Sequence, residues 1–298
     1  MIVKTVGFLF LVMIAGLAIL LLVASARWNG VSDDVRAQLM VGSRADPGTV
    51  SFGAAFDSLP GPVQRYLRTV LREGRPVISR VRVEEEGTFL TRPERDVWGA
   101  FSAMHDIVSQ PAGFLWDARI SMGPGITVRV RDAFVDGAGS MFGSIHGVIR
   151  VVNMADSPEL SVAALQRWLA ESVWIPTALL PENGVRWTAL TDSSARASVT
   201  SGPTTASLDF FFDASTGLVT RVYSASRGRA VNGAMEPTPW EGRWFDWSER
   251  DGVTVPGAGE VAWLLQAGPQ AYWRGRVAAY AVPAEAVRPA GAGADARR

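Results

Sequence analysis

The residues best suited to acid–base or metal chemistry in this chain are two histidines and scattered carboxylates. His105 and His146 are far apart and form no HxH or HExxH pattern, and the chain has no cysteine. Zinc sites and thiolate nucleophiles need closely spaced ligands or a cysteine. The sequence therefore predicts no metal centre, no disulfide, no cysteine nucleophile and no cofactor.

Two glycine and serine clusters come close to known motifs without matching them. Residues 139–143 read GSMFG and residues 143–147 read GSIHG, so serine follows the first glycine directly, unlike the GxSxG nucleophile elbow. Gly137, Gly139 and Gly143 have one residue too many for GxGxxG, and strand-like sequence lies on both sides. A hairpin turn is therefore predicted here.

Carboxylates are numerous enough to form an acid pair, and Asp132 with Glu171 is one candidate. Spacing alone brings no two of them together, so structural roles are favoured. Arg167 and Glu171 are four residues apart on a predicted helix, where the ordinary outcome is a weak surface ion pair. If the sheet covers that face, the pair is buried, and a hydrolase acting through Asp132, Glu171 or His146 becomes a candidate.

The elements that would position these groups begin with an apolar N-terminal segment. Residues 6–23 carry no charge, and Ala-Ser-Ala at 24–26 extends the segment as far as Arg27 and Trp28. A helix of this length nearly spans a hydrocarbon core of ~30 Å, with Trp28 at the interface. Ala-Ser-Ala also fits a signal-peptide cleavage site, but the stretch exceeds the usual ~7 to 15 residues, which favours a retained anchor over residues 1–27.

The charge balance sets the expected partners and location. The 29 basic and 29 acidic residues cancel, so no overall field attracts the protein to nucleic acid. Lys4 precedes the apolar segment and three arginines follow it by residue 44, which leaves the orientation open. We expect a single-pass cell-membrane protein held through residues 6–26, with a body outside the cytoplasm as the working hypothesis.

The rest of the chain predicts a connector, one mainly β domain and a tail. Residues 28–55 are a mixed juxtamembrane connector, residues 56–282 form the domain, and residues 283–298 are predicted to be disordered. In the domain, a proline-led helix precedes five strands with an apolar period of two, then a central helix and seven further strands. The strands are predicted at 77–90, 96–108, 114–121, 126–135, 140–152, 185–190, 195–201, 204–213, 218–226, 240–247, 260–265 and 272–282.

This order of elements predicts a mainly β fold in which a curved antiparallel sheet, a half-barrel, wraps around the central helix at residues 160–174. Eleven tryptophans exceed what a domain of this size needs. Core packing explains most of them, and a subset lining a concave apolar pocket explains the excess. The candidates for the pocket are Trp98, Trp116, Arg167, Trp168, Glu171, Trp174, Leu180, Trp187 and Trp244.

Five segments carry a resemblance to known proteins: LPGPVQRYLR, VRDAFVDGAGSM, QRWLAESVWIPTALLP, PWEGRWFDW and GEVAWLL. Together they resemble a bacterial family of membrane-anchored proteins classed as a domain of unknown function. The resemblance covers Leu59 to Val282 and is most specific over residues 167–181. It implies no activity. The order of elements is also similar to the half-barrels of periplasmic lipoprotein carriers, which hold acyl chains in an apolar concavity.

Three functions follow as hypotheses. The leading one is a non-enzymatic binder of a lipid or other hydrophobic ligand, tethered at the membrane, with tryptophans and residues 174–180 lining the pocket. Arginines at the rim would hold a phosphate or carboxylate headgroup. The second is an interaction or scaffold domain of an envelope complex that uses residues 240–247. The third is the hydrolase described above.

Overall fold

This computed structural model describes residues 2–41, 48–231 and 233–283. Most of the predicted tail lies outside the described residues, and so do residues 42–47 of the predicted connector. The division of the chain into anchor, connector, domain and tail stays a prediction. Within the described ranges, four helices and thirteen strands follow one another along the chain.

The order of elements follows the predicted pattern, but several elements are longer, since β11 and β12 begin at Ala234 and Val253 and were predicted to begin at 240 and 260. The helices are α1 (Ile2–Val41), α2 (Ala54–Asp57), α3 (Gly61–Val70) and α4 (Pro158–Glu171). The strands are β1 (Arg80–Arg92), β2 (Val97–Val108), β3 (Gly113–Gly123), β4 (Ile126–Val135), β5 (Ala138–Ile145), β6 (Ile149–Met154), β7 (Arg186–Thr191), β8 (Ser194–Ser201), β9 (Thr204–Phe212), β10 (Val219–Val231), β11 (Ala234–Arg250), β12 (Val253–Leu265) and β13 (Gly268–Ala281). Short 3₁₀ turns span Pro93–Arg95, Ser172–Trp174, Pro176–Leu179 and Pro181–Asn183.

One predicted strand, at 140–152, is in fact two. His146 and Gly147 both have positive φ, 53° and 78°, and the amide of Val148 donates to the carbonyl of Ile145 at 2.9 Å. Positive φ at both central residues is the geometry of the two-residue hairpin turn that suits the twist of a sheet. The turn separates β5 from β6 and places His146 at a hairpin tip.

The first helix continues well beyond the predicted anchor. Its apolar window is exposed, and α1 is long and apolar enough to be a candidate membrane span. From Ala24 onward it lies on the outer face of β2, β3 and β4, where Trp28, Ser32 and Leu39 are buried. These positions recur about every four residues, so they form one stripe along the helix. Residues 28–41 are therefore helical and packed against the body.

The thirteen strands form one antiparallel sheet in the order β6-β5-β4-β3-β2-β1-β13-β12-β11-β10-β9-β8-β7. The last strand thus pairs with the first, which joins the two halves of the sheet on either side of α4. The helix packs against β5 of one half and β9 and β10 of the other. The half-sheets also approach each other directly, because the Thr204 hydroxyl donates to the Gly137 carbonyl at 2.8 Å. The predicted curved sheet around a central helix is confirmed.

A row of glycines shapes the concave face. Gly87, Gly275 and Gly259 are paired in register on β1, β13 and β12. A methyl group on Gly275 would overlap the Trp273 ring, and one on Gly259 would lie 2.8 Å from the ring of Trp244. The absence of side chains at these glycines lets the two indoles lie against the sheet.

Candidate functional site

A cavity of about 540 Å³ lies between the concave face of the sheet and α4. Five tryptophans line it, together with other apolar side chains from both halves of the sheet. The tryptophans are Trp116, Trp240, Trp244, Trp263 and Trp273. The cavity is therefore a mainly apolar, aromatic space inside the curve of the sheet.

The aromatic wall is held by contacts among its own members. The Trp240 indole donates to the Tyr272 hydroxyl at 2.9 Å, and Trp263 stacks on Tyr272 with ring centroids 5.5 Å apart. Lower in the cavity, Trp244 packs edge-on against Trp174, which is itself fully buried. Since these rings are fixed by neighbours and by the glycine row, the wall is formed without a ligand.

A row of buried polar side chains crosses the concave face of the sheet, and two of its members, Trp116 and Asp132, line the floor of the cavity. His105 on β2, Trp116 on β3 and Asp132 on β4 are paired in direct register, so all three side chains point to the same face. Glu85 on β1 completes the row, with its carboxylate 2.8 Å from His105 Nδ1 and accepting from the Trp116 indole at 2.9 Å. All four residues are buried.

The central helix adds two charged residues above this row. Ser157 caps α4 by accepting from the Leu160 amide at 3.3 Å, and Pro158 occupies its first turn. With Leu165, Trp168 and Leu169 in the core, the opposite face carries Arg167 and Glu171 into the cavity. The helix register thus places both charged groups over the floor.

Arg167 is the centre of the resulting ionic cluster. Its Nε donates to both Glu171 oxygens at 3.0 Å, and its Nη1 donates to Asp132 at 2.6 Å. Its guanidinium also lies 4.9 Å from the centre of the Trp116 ring. Because both carboxylates already occupy the guanidinium, Arg167 is a structural cation of the cluster.

The cluster contains more negative than positive groups. Three carboxylates, from Glu85, Asp132 and Glu171, surround one guanidinium and one imidazole. Burial raises the pKa of Glu171, although the charges of Arg167 and His105 partly offset the effect. Burial lowers the pKa of Arg167, but the carboxylates of Glu171 and Asp132 outweigh this and hold it above its ordinary value. Glu171 is therefore the member best placed to carry a proton.

His105 has a fully buried nitrogen that makes no hydrogen bond to the described residues. Its Nδ1 faces Glu85, while its Nε2 lies 3.6 Å from Glu171, beyond hydrogen-bond distance, and has no hydrogen-bond partner among the described residues. Across 2–41, 48–231 and 233–283, no group of three or more His, Asp or Glu side chains is arranged to hold a metal ion. The floor is therefore best described as an ion-paired cluster in which Glu171 has a raised pKa.

Two arginines of β10 lie at the cavity rim. Arg227 donates to the Ala163 carbonyl at 3.0 Å, and its guanidinium lies over Trp240 at 4.9 Å from the ring centre. Arg229, two residues on, lies 6.0 Å from the centre of Trp263. The rim is consequently cationic where the floor is net negative.

The predicted pocket residues divide into two groups. Those that line the cavity are Trp116, Arg167, Glu171 and Trp244. Those that do not line it are Trp98, Trp168, Trp174, Leu180 and Trp187. Trp98 borders a separate, shallower pocket of about 310 Å³ next to Arg274, and the other four pack in the core or against it. Their role in ligand binding stays a prediction.

Sequence reasoning predicted arginines at the rim without identifying Arg227 or Arg229, and it missed Trp240 and Glu85 as site residues. Strand alternation contained a signal for Glu85, because Val81, Val83 and Glu85 share the buried face of β1. Trp240 likewise shares its strand face with Trp244, four residues away. Among the hydrolase candidates, the structure brings Asp132 and Glu171 to one guanidinium, whereas His146 lies at the β5–β6 turn.

The chain is similar to one protein family and to one solved structure. The model of a family of unknown function, DUF6920, matches residues 57–281. No curated protein matches the chain. Among solved structures, the chain is similar to a LolA superfamily protein from Nitrosomonas europaea, with 9% sequence identity, 68% of this chain and 85% of that chain covered, and a TM-score of 0.26. At that TM-score the likeness carries no argument about ligand or activity.

Proposed function

We propose that this protein, which belongs to the family of unknown function DUF6920, binds the hydrocarbon chain of a lipid or similar amphiphile in its cavity. The observation that carries the proposal is the pre-formed space of about 540 Å³ walled by five tryptophans. Sites for small ligands occupy roughly 300 to 1,000 Å³ and are mostly apolar with a few placed polar groups. This cavity has both properties.

The energetics favour an extended hydrocarbon chain. Each methylene moved from water into an apolar site contributes about 0.8 kcal/mol, which corresponds to about a fourfold change in the dissociation constant. Ten buried methylenes contribute about 8 kcal/mol, enough to offset much of the roughly 4 to 15 kcal/mol that association costs. An apolar chain therefore supplies affinity without directional polar contacts.

The polar end of the ligand is proposed to carry negative charge. Arg227 and Arg229 lie at the rim, and guanidinium groups bind carboxylate and phosphate groups through paired hydrogen bonds. Arg227 Nε is buried and has no hydrogen-bond partner among the described residues. By contrast, Arg167 is occupied by two carboxylates, so an anionic headgroup is expected at the rim and away from the floor.

Location follows from α1. We propose that α1 is a retained single-pass anchor, which the uncharged length of its apolar segment favours, and that the body lies outside the cytoplasm. Since α1 also packs along the body through Trp28, Ser32 and Leu39, the cavity stays beside the membrane. Lipids are then the amphiphiles nearest to the site.

A chain-length series tests the proposal. Fluorescent carboxylates of 8 to 18 carbons are titrated into the full chain in nanodiscs, with empty nanodiscs as the reference. Affinity is expected to rise about fourfold per methylene and then level off once the cavity is full. In empty nanodiscs the apparent affinity rises with chain length because the probe enters the bilayer. If the affinity measured with the protein follows the same trend over all lengths, the probe enters only the bilayer and not the cavity.

A pair of variants assigns the binding to the cavity. Val261→Trp adds an indole to the cavity wall, and Leu264→Trp adds the same indole to the other face of β12, where it does not line the cavity. We expect Val261→Trp to weaken binding at least tenfold and Leu264→Trp to leave it within twofold. Equal affinities of the two variants would reject the cavity as the binding site.

A second function, acid–base catalysis on the bound amphiphile, is favoured by one observation. Glu171 lines the cavity, has a raised pKa and faces His105 Nε2 at 3.6 Å. If the protein only binds its ligand, Glu171→Gln still binds it, and neither the wild type nor this variant hydrolyses an acyl ester. Ester hydrolysis by the wild-type chain that is lost in Glu171→Gln would favour the enzyme.

A further inference from the structure

We infer that the mouth of the cavity faces the bilayer that α1 enters, so that the ligand passes directly between one leaflet and the cavity. The identity of the ligand rests on the proposed function, whereas the orientation of the body rests on separate observations. Three features of the structure carry it: the path of α1, the position of the mouth and the exposed apolar side chains at the same end of the sheet.

The path of α1 fixes which end of the sheet is near the membrane. Ala24 lies against Gly147 in the β5–β6 turn, and Leu39 lies against Gly113 at the β2–β3 turn. In an antiparallel meander these two turns lie at opposite ends of the sheet. The helix therefore descends along the sheet from the β5–β6 end, and residues 4–23 project about 30 Å beyond that end.

The mouth lies at the same end. Pro93 and Gln270 line the cavity and lie at or beside the β1–β2 and β12–β13 turns. Since turns alternate along antiparallel neighbours, these two turns share the end of the central strands that carries the β3–β4 and β5–β6 turns. An opening at that end points towards the projecting part of α1.

Exposed apolar side chains cluster at the turns of this same end. Ile126 begins β4 at the β3–β4 turn and is 46% exposed, while Val148 and Ile149 at the β5–β6 turn are 43% and 59% exposed. Val97 beside the β1–β2 turn and Val151 beside the β5–β6 turn are also exposed. Leu190 and Phe245 are the remaining large apolar residues exposed in the described body. A single exposed apolar residue is ordinary, but a cluster at one end indicates an interaction surface.

The apolar projection of α1 identifies the partner of this surface as a lipid bilayer. The hairpin tips reach the leaflet from which the anchor emerges, and the cavity opens between them. An acyl chain then enters from the leaflet without crossing water, while its headgroup meets Arg227 and Arg229 at the rim. The protein therefore exchanges lipid in place, as a tethered module.

Site-specific fluorescence tests the orientation. The chain has no cysteine, so single cysteines can be introduced without removing any. Ile126→Cys and Ile149→Cys report on the mouth, and Leu190→Cys and Phe245→Cys are equally exposed controls. Each full-length variant is labelled with a polarity-sensitive dye in nanodiscs of phosphatidylethanolamine and phosphatidylglycerol containing nitroxide-labelled lipid. We expect blue-shifted emission and at least threefold stronger quenching at 126 and 149. Equal quenching at all four positions would overturn the orientation.

A second measurement separates this inference from the proposed function. The Ile126→Asp/Ile149→Asp variant is expected to take up a fluorescent fatty acid from vesicles at least fivefold more slowly than the wild type. Its affinity for the same probe delivered from cyclodextrin should stay within twofold. Unchanged uptake from vesicles would overturn direct transfer. Failure of the wild-type chain to bind the probe from either source would reject the proposed ligand class, and the quenching result would still report the orientation.

Discussion

Among the residues that the structure describes, Arg167 is the only one whose guanidinium pairs with two largely buried carboxylates, and replacing it by leucine removes that cation. The side chains of Arg167, Asp132 and Glu171 are 15%, 7% and 14% exposed, and the contacts are 2.6 to 3.0 Å long. Removing one partner from a buried ion pair costs about 3 to 5 kcal/mol, because the remaining charge stays desolvated. We therefore expect Arg167→Leu to lower the free energy of unfolding by about 3 to 5 kcal/mol.

Arg196→Leu is the matched control. Arg196 also donates twice to a carboxylate, that of Asp209, at 2.6 and 3.0 Å, but its side chain is 51% exposed. Exposed pairs contribute about 0 to 1 kcal/mol, because water and salt screen them. Two variants with the same substitution and similar contact geometry should therefore differ by several kcal/mol.

The assay is urea unfolding of the full chain in a mild detergent, followed by near-ultraviolet circular dichroism. Adding Asp132→Asn and Glu171→Gln to Arg167→Leu removes both uncompensated charges and should recover at least half of the loss. If Arg167→Leu costs no more than Arg196→Leu, or if the neutral amides recover nothing, the cluster is not a buried ionic network and the reasoning fails.

Three further predictions concern the acid, the glycine row and the anchor. Burial raises the pKa of Glu171, so the stability that this residue contributes falls as pH rises from its unfolded-state pKa to its folded-state pKa. Over that window the free energy of unfolding of Glu171→Gln should rise relative to wild type by at most about 1.4 kcal/mol per pH unit. A difference between the two proteins that does not change with pH would contradict this prediction. Gly275→Ala should lower the free energy of unfolding in urea by about 1 to 3 kcal/mol and shift tryptophan emission, because the added methyl group overlaps the Trp273 ring. Unchanged emission would contradict the claim that the glycine row makes room for the Trp273 indole. Trp28→Ala should speed proteolysis between α1 and the body several-fold, because the Trp28 indole donates to Asp117 at 3.0 Å and helps to hold α1 on the sheet. An unchanged cleavage rate would mean that the Trp28 contact does not hold α1 against the body.

The secondary structure was predictable where the pattern is local. The proline and apolar spacing that predicted α3 match Pro62 in its first turn and Val63, Tyr66 and Leu67 in the core. The hydropathy of α1 ends near Val23, yet the helix continues, because its buried stripe uses residues such as Ser32 that a hydropathy average treats as polar. Its continuation depends on the packing surface, which the sequence of the helix alone does not contain.

The candidate site was predictable only in part. Arg167 and Glu171 followed from helical spacing, but Asp132 joins them through the strand register, and Glu85 through the pairing of β1 with β2. Both are long-range consequences of sheet assembly. The identities of the rim arginines, Arg227 and Arg229, could not be predicted for the same reason. Their strand, β10, borders the cavity only because the second half of the sheet curves around α4.

The most direct test of the proposed function is photo-crosslinking with a fatty acid that carries a diazirine near its methyl end. The full chain in nanodiscs is irradiated with the probe and digested, and the modified residues are identified by mass spectrometry. Adducts are expected on residues deep in the cavity such as Met141 and Trp244, and should disappear in Val261→Trp. Adducts confined to the exposed residues of α1, with none in the cavity, would contradict the account.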